Sequence, residues 1–277
     1  MKYLGTLLLY FTLVGLWAQG ETEVYLLDLT QDSPTPINIS HNPGYDNQPS
    51  FWDNDHLLYT RTRTGQTDIV RYNLNSKKTE WLCDTPQGSE YSPLRIPDSE
   101  AFSAIRLDTT GFQRLYRYTE DGKSELFFSP LKIGYHHWVS DNTLLCTVLV
   151  EDHMNLMLVQ PNSSAKLITE KVGRSLHRIP KSSQLSFIQQ KEGRSILSSI
   201  DLTTQNIQTL LPLPEGVQDV AWLASGTLIF AQGNTLFQWD PNTSSGIQVW
   251  KKLSRINNIS RLALSPNGKL LALVGNE

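Results

Sequence analysis

The sequence predicts an all-β protein, a six-bladed β-propeller with four-stranded antiparallel blades, closed by N-terminal strands that complete the last blade. Three observations predict it. First, an apolar anchor recurs at Trp52, Ile96, Trp138, Ile179, Trp222 and Leu264, at intervals of 44, 42, 41, 43 and 42 residues. A polar turn and a second apolar strand follow each anchor. Second, a strand–turn–strand signature recurs later in each unit, as in Asp68–Leu82 and Leu236–Trp250. Third, the sixth copy of that signature does not follow Gly275; it stands instead at Glu23–Ile39. A circular array closes on itself in this way, whereas a linear solenoid has no reason to divide one unit between its ends. Six units of four strands match a propeller.

Taken in order, the chain opens with Lys2, an apolar run from Tyr3 to Ala18, and the small-x-small pattern Ala18-Gln19-Gly20. That is the form of a secretory signal peptide, and residues 1–20 are assigned to one. The apolar run is shorter than the ~20 residues a bilayer span needs. No Cys lies near the cut to take a lipid. Residues 21–277 then form one propeller domain. Its clearest unit holds four short runs: Gln48–Trp52, His56–Arg61, Asp68–Tyr72 and Thr79–Leu82. Each is rich in β-branched or aromatic residues, and Asp, Asn, Gly and Ser sit at the breaks. One such sheet cannot cover both of its faces, so it needs similar sheets stacked against it. The units run over 42–86, 87–130, 131–171, 172–213 and 214–254. The last joins 255–277 to 21–41.

A net charge of −3 with no basic block argues against nucleic acid as a partner. Cys83 and Cys146 are the only cysteines and fall in non-neighbouring units, so two free, buried thiols are expected rather than a disulfide.

Ser265-Pro266-Asn267-Gly268-Lys269-Leu270-Leu271-Ala272 resembles the SPDG-x-x-L-x-F turn of TolB-like propeller repeats. Gly65-Gln66-Thr67-Asp68-Ile69-Val70-Arg71-Tyr72-Asn73-Leu74 is similar to the DG-x-x-D-I-Y-x-x-N-L strand of the same repeat, and Pro49-Ser50-Phe51-Trp52 to its P-x-W opening. Blades 1 and 6 match closely; blades 2 to 5 keep turns such as Pro97-Asp98-Ser99 and Ala224-Ser225-Gly226 without the full motif. The resemblance implies a stand-alone propeller without the TolB N-terminal domain, periplasmic or secreted, that binds a protein or an envelope component.

Several residue sets are candidates for chemistry. Trp52, Trp138 and Trp222 share one repeat position, where inter-blade packing is the plainer explanation than a stacking platform. His136 and His177 each stand two residues before an anchor and offer two imidazoles to a transition metal, but the equivalent positions supply no third ligand. One residue before the anchors, Arg95, His137 and Arg178 occupy three consecutive blades. If they reach the channel mouth, they make a cationic sector for a carboxylate or phosphate. Asp46, Glu90 and Asp219 lie near strand starts and read as solvated turn residues. No G-x-S-x-G elbow, H-E-x-x-H helix or phosphate-binding glycine loop is present.

These readings converge on an exported, non-enzymatic protein-binding module of the cell envelope. It needs no cofactor or metal, is monomeric, and does not span the membrane once the signal is cleaved. The binding face is expected where loops enter the first strands, with Tyr91, Arg95, Tyr135, His137, Arg174 and Arg178 as contacts. The alternative is a propeller enzyme or ligand-binding protein acting on a glycan or anionic small molecule at the axial pocket.

Overall fold

A computed structural model describes residues 21–128, 131–161 and 163–277. The signal-peptide assignment lies outside the described residues. The chain forms six four-stranded antiparallel sheets. Blade 1 holds Asn47–Phe51, His56–Arg63, Gln66–Asn73 and Lys78–Trp81. Each strand lies within one or two residues of its expected bounds, because Asp53-Asn54-Asp55, Gly65 and Asn75-Ser76 place the turns. Blades 2 to 5 repeat the order, with first strands Gly88–Arg95, Ile133–Trp138, Val172–Arg178 and Val220–Trp222.

Blade 6 is shared between the two ends of the chain. Asn257–Leu264 and Leu270–Asn276 supply its first two strands, and Glu23–Asp28 and Ile37–Asn38 supply the last two. The closing register runs from Glu23 opposite Gly275 to Asp28 opposite Leu270. The Leu29 amide extends it by donating to the Lys269 carbonyl at 2.8 Å. Glu23 secures the joint from the side: its carboxylate accepts from the Asn42 amide at 3.1 Å and from the Ser40 hydroxyl.

Burial shows why the ring is needed. Leu57, Leu58, Tyr59 and Thr60 are consecutive in one strand, and all four are fully buried. A sheet wetted on one face would alternate buried and exposed residues; consecutive burial means that both faces are covered. Apolar clusters bridge each junction. Trp52, Leu58 and Ile69 meet Phe102 and Tyr118 between blades 1 and 2. Ile105 and Leu115 meet Trp138 and Leu144 between blades 2 and 3. Leu145 and Leu156 meet Leu176 and Phe187 between blades 3 and 4. One larger cluster joins blades 4, 5 and 6. Val24, Ala272 and Val274 meet Leu57, Tyr59 and Val70 across the closure.

The tryptophan anchors are buried in these clusters. Two also tie their blade to the preceding one by a hydrogen bond. Trp138 Nε1 donates to Ser103 Oγ at 2.9 Å, and Trp222 Nε1 donates to Ser186 Oγ at 2.8 Å. Cys83 and Cys146 are both free and buried, as the spacing implied. No helix among the described residues is long and apolar enough to cross a membrane.

Candidate functional site: the strand-start mouth of the central channel

The first strand of every blade lines the central channel, so the channel has a mouth at the strand starts and another at the strand ends. The six candidate contacts do not share one of them. Tyr91, Tyr135 and Arg174 lie at the strand-start mouth, whereas His137 and Arg178 line the strand-end mouth and Arg95, at the same end of its strand, turns aside onto the Trp52 ring. Arg174 and Arg178 are four residues apart on one strand, a separation of about 13 Å. The single face expected for all six is therefore two.

At the strand-end mouth the cationic sector is largely self-satisfied. Arg95 pairs with Glu100 at 2.9 Å, donates to the Ser99 carbonyl at 3.1 Å, and lies over the Trp52 ring at 4.9 Å. Arg178 donates to the Val139 carbonyl at 3.1 Å. Burial, with His177 and Arg178 nearby, holds the His137 imidazole down at about 3, so it is neutral. Each imidazole considered for a metal has its Nε2 engaged, while His136 Nδ1 is buried without a hydrogen-bond partner among the described residues. His136 Nε2 meets Ser103 Oγ at 2.7 Å, and burial holds this ring at about 3. His177 Nε2 meets Ser175 Oγ at 3.0 Å, and burial lowers its pKa.

The strand-start mouth is different. Arg261 Nη1 lies 3.2 Å from Asp219 Oδ2, and Arg174 Nε lies 3.7 Å from the same oxygen. Two guanidinium groups thus share one carboxylate. All three side chains are mostly buried, with 11%, 20% and 12% of Arg261, Arg174 and Asp219 exposed. Arg174 Nη2 donates to the Ser260 carbonyl at 2.7 Å, but its Nε has no hydrogen-bond partner among the described residues. Arg261 lies over the Tyr135 ring at 5.3 Å. Tyr45 and Tyr91 pack edge to face beside it, with centroids 6.2 Å apart.

The electrostatics follow from this crowding. Burial and then the like charge of Arg261 lower the pKa of Arg174. For Arg261, burial pulls against the charge, and Asp219, Tyr135 and Tyr45 more than offset it. Burial raises the Tyr45 phenol, so it stays protonated. The mouth holds one surplus positive charge, an unfilled N–H donor and three tyrosines. That set is suited to a carboxylate carried on a stackable or amphipathic group.

Arg261 was absent from the candidates. Its signal lies three residues before the anchors, where Asp219 in blade 5 and Arg261 in blade 6 place opposite charges in adjacent blades. The acids also need correction. Asp46 and Glu90 are fully buried rather than solvated, and Asp219 is nearly so. Asp46 accepts from Asn42 Nδ2 at 2.9 Å and the Thr62 amide at 3.1 Å, and burial raises its carboxyl to about 6. Glu90 accepts from the Tyr118 hydroxyl at 2.8 Å, and burial raises it to about 7.

No protein-family model matches the chain, and no curated protein matches it by sequence. Solved structures do match it by fold. A protein described as a TolB from Agrobacterium tumefaciens is 13% identical with a TM-score of 0.70, covering 92% of this chain and 98% of that one. A gluconolactonase from Xanthomonas campestris is 11% identical with a TM-score of 0.68, covering 93% and 97%. An oligogalacturonate lyase from Vibrio parahaemolyticus is 11% identical with a TM-score of 0.60, covering 87% and 80%. The TolB-like resemblance therefore holds at the level of the fold, a six-bladed β-propeller similar to structures named as a TolB, a gluconolactonase and an oligogalacturonate lyase.

Proposed function

We propose that this chain is an exported, non-enzymatic binding module that holds an acidic segment of a protein partner at the strand-start mouth of its channel. One observation carries the reading: Arg174 and Arg261 share the single carboxylate of Asp219 inside a tyrosine-lined opening, and the Arg174 Nε–H is left without an acceptor. A partner carboxylate at that opening would neutralise the surplus charge. The TolB-like fold and the leader-like first twenty residues support an envelope location. The test is photo-crosslinking in intact cells from a probe placed at Tyr91, followed by mass spectrometry. A discrete protein adduct is expected, and Arg174→Glu should reduce it at least about tenfold, the equivalent of 1.4 kcal/mol. An adduct that survives Arg174→Glu unchanged would rule out this mouth.

A second reading is favoured by the same arginine pair. Two of the similar structures are named for enzymes of sugar-acid chemistry, and a free sugar carboxylate would meet the same guanidinium groups. Specific binding or turnover of a uronic acid or aldonolactone by the purified chain, with no protein adduct in cells, would replace the first reading with this one. A form in which His136, His177 and Asp219 hold a metal is disfavoured, since serines engage Nε2 of both imidazoles and the arginines take the carboxylate.

A further inference from the structure

Between blades 1 and 2, away from the channel mouth, three side chains with metal-ligating atoms converge. Asp68 lies on the third strand of blade 1, Cys83 just beyond its outer strand, and Glu90 on the first strand of blade 2. One ligand atom from each lies within 4.8 Å of the others. Asp68 and Glu90 are fully buried, and Cys83 is 5% exposed. The surroundings orient each ligand. Arg63 Nε and Gln66 Nε2 both donate to Asp68 Oδ2 at 2.9 Å, which leaves Oδ1 facing the thiol. Among the described residues, the Cys83 S–H at 3.8 Å and the Thr85 amide at 3.3 Å reach that oxygen. The Ile69 amide meets Cys83 Sγ at 3.2 Å. Tyr118 holds Glu90 Oε1, while Glu90 Oε2 has no hydrogen-bond partner among the described residues. A buried carboxylate oxygen without a donor is costly unless it carries a proton or meets a cation.

We propose that Asp68, Cys83 and Glu90 form a structural site for a thiophilic divalent cation of the zinc type, clamping blade 1 to blade 2. The geometry suits such an ion. Zinc binds thiolate at about 2.3 Å and carboxylate oxygen at about 2.0–2.2 Å, so the sulfur–oxygen edge of a tetrahedral site is roughly 3.5–3.7 Å. Cys83 Sγ and Asp68 Oδ1 stand 3.8 Å apart. Three anionic ligands and a dication leave one negative charge, which faces the Arg63 guanidinium that Asp68 shares with the more exposed Asp84. Structural zinc sites usually have four protein ligands; with three here, a water would complete the tetrahedron. Arg63, Gln66 and Tyr118 supply the outer hydrogen bonds that orient ligating carboxylates. The ligands come from both blades, so binding would couple to folding of the ring.

The test uses the full chain refolded from denaturant with Zn2+ or Co2+ and then desalted. One metal ion per natively folded chain is expected. The cobalt form should show a thiolate-to-cobalt charge-transfer band that Cys83→Ser removes and Cys146→Ser leaves in place. Where Cys83→Ser does not fold, Glu90→Gln keeps an acceptor for Tyr118 and should weaken metal affinity by about tenfold or more. Folded wild-type chain that retains no stoichiometric metal would overturn the proposal. So would a charge-transfer band that persists in Cys83→Ser, or an unchanged affinity in Glu90→Gln.

Discussion

Trp138 and Trp222 illustrate how one residue serves both packing and polarity. Each indole fills the seam between blades, and its N–H is spent on a serine of the preceding blade. A buried indole N–H without such a partner would be penalised, so the serine matters as much as the ring. Asp46 shows the opposite balance. Burial raises its carboxyl to about 6, while the unfolded chain holds it near the ordinary 3.8. The folded state then binds the proton more tightly. The stability this confers is complete below about pH 4 and is lost as pH rises through 6. Asp46→Asn should therefore flatten the stability profile across that window relative to wild type, by on the order of 2–3 kcal/mol. Urea unfolding of both proteins at pH 4 and pH 7 measures the difference. Equal slopes would show that Asp46 titrates normally.

Among the elements, the closing strands of blade 6 depend on close approach. A Cβ on Gly275 would stand 2.6 Å from the Asn257 carbonyl oxygen and 2.7 Å from Ile256 Cγ1. Neither neighbour can yield cheaply, since one is backbone and the other is the branch of a buried isoleucine. Gly275 also faces Glu23 across the joint, so a displaced strand would carry the N-terminal strand with it. Gly275→Ala should cost about 1–3 kcal/mol of stability, the usual range for overpacking. A denaturant midpoint indistinguishable from wild type would mean that the joint has slack. The first strands show a different kind of element-level control. Five of them carry a register shift, four near the strand start and that of Gly88–Arg95 between Tyr91 and Leu94. At three of those shifts a non-glycine residue takes a left-handed conformation: Gln48, Ser92 and Asn258, with φ of 54°, 52° and 50°. Bulges of this kind re-aim side chains and interrupt pairing, and here they shape the mouth that holds Arg174 and Arg261.

For the whole molecule, ring closure does not depend on where the chain begins. The 2+2 division of blade 6 falls between its second and third strands. A link from Glu277 to Glu21 would place Asn276, Glu277, Glu21 and Thr22 between paired Gly275 and Glu23, a length common for hairpin loops. A circular permutant joining Glu277 directly to Glu21, and opened between the exposed Glu192 and Gly193, would move the same division to blade 4. It should fold to a ring with a single cooperative unfolding transition, because each seam keeps its apolar cluster. An insoluble product, or a transition split in two, would show that the native joint contributes more than covalent order.

Much of this protein is legible one residue at a time. The anchors, the Asp-, Asn- and Gly-rich turns and the divided sixth unit depend on local backbone chemistry and on a regular interval, so six sheets and their closure could be read directly. The binding residues depend on something else. Counting back from an anchor assigns faces only while the strand alternates evenly, and the bulges at the strand starts break that alternation. Arg261 was therefore missed, the six candidates separated onto two mouths, and Asp46 and Glu90 proved buried. Which charges meet across the channel is settled by six strands converging from distant parts of the chain, a relation that no single stretch contains.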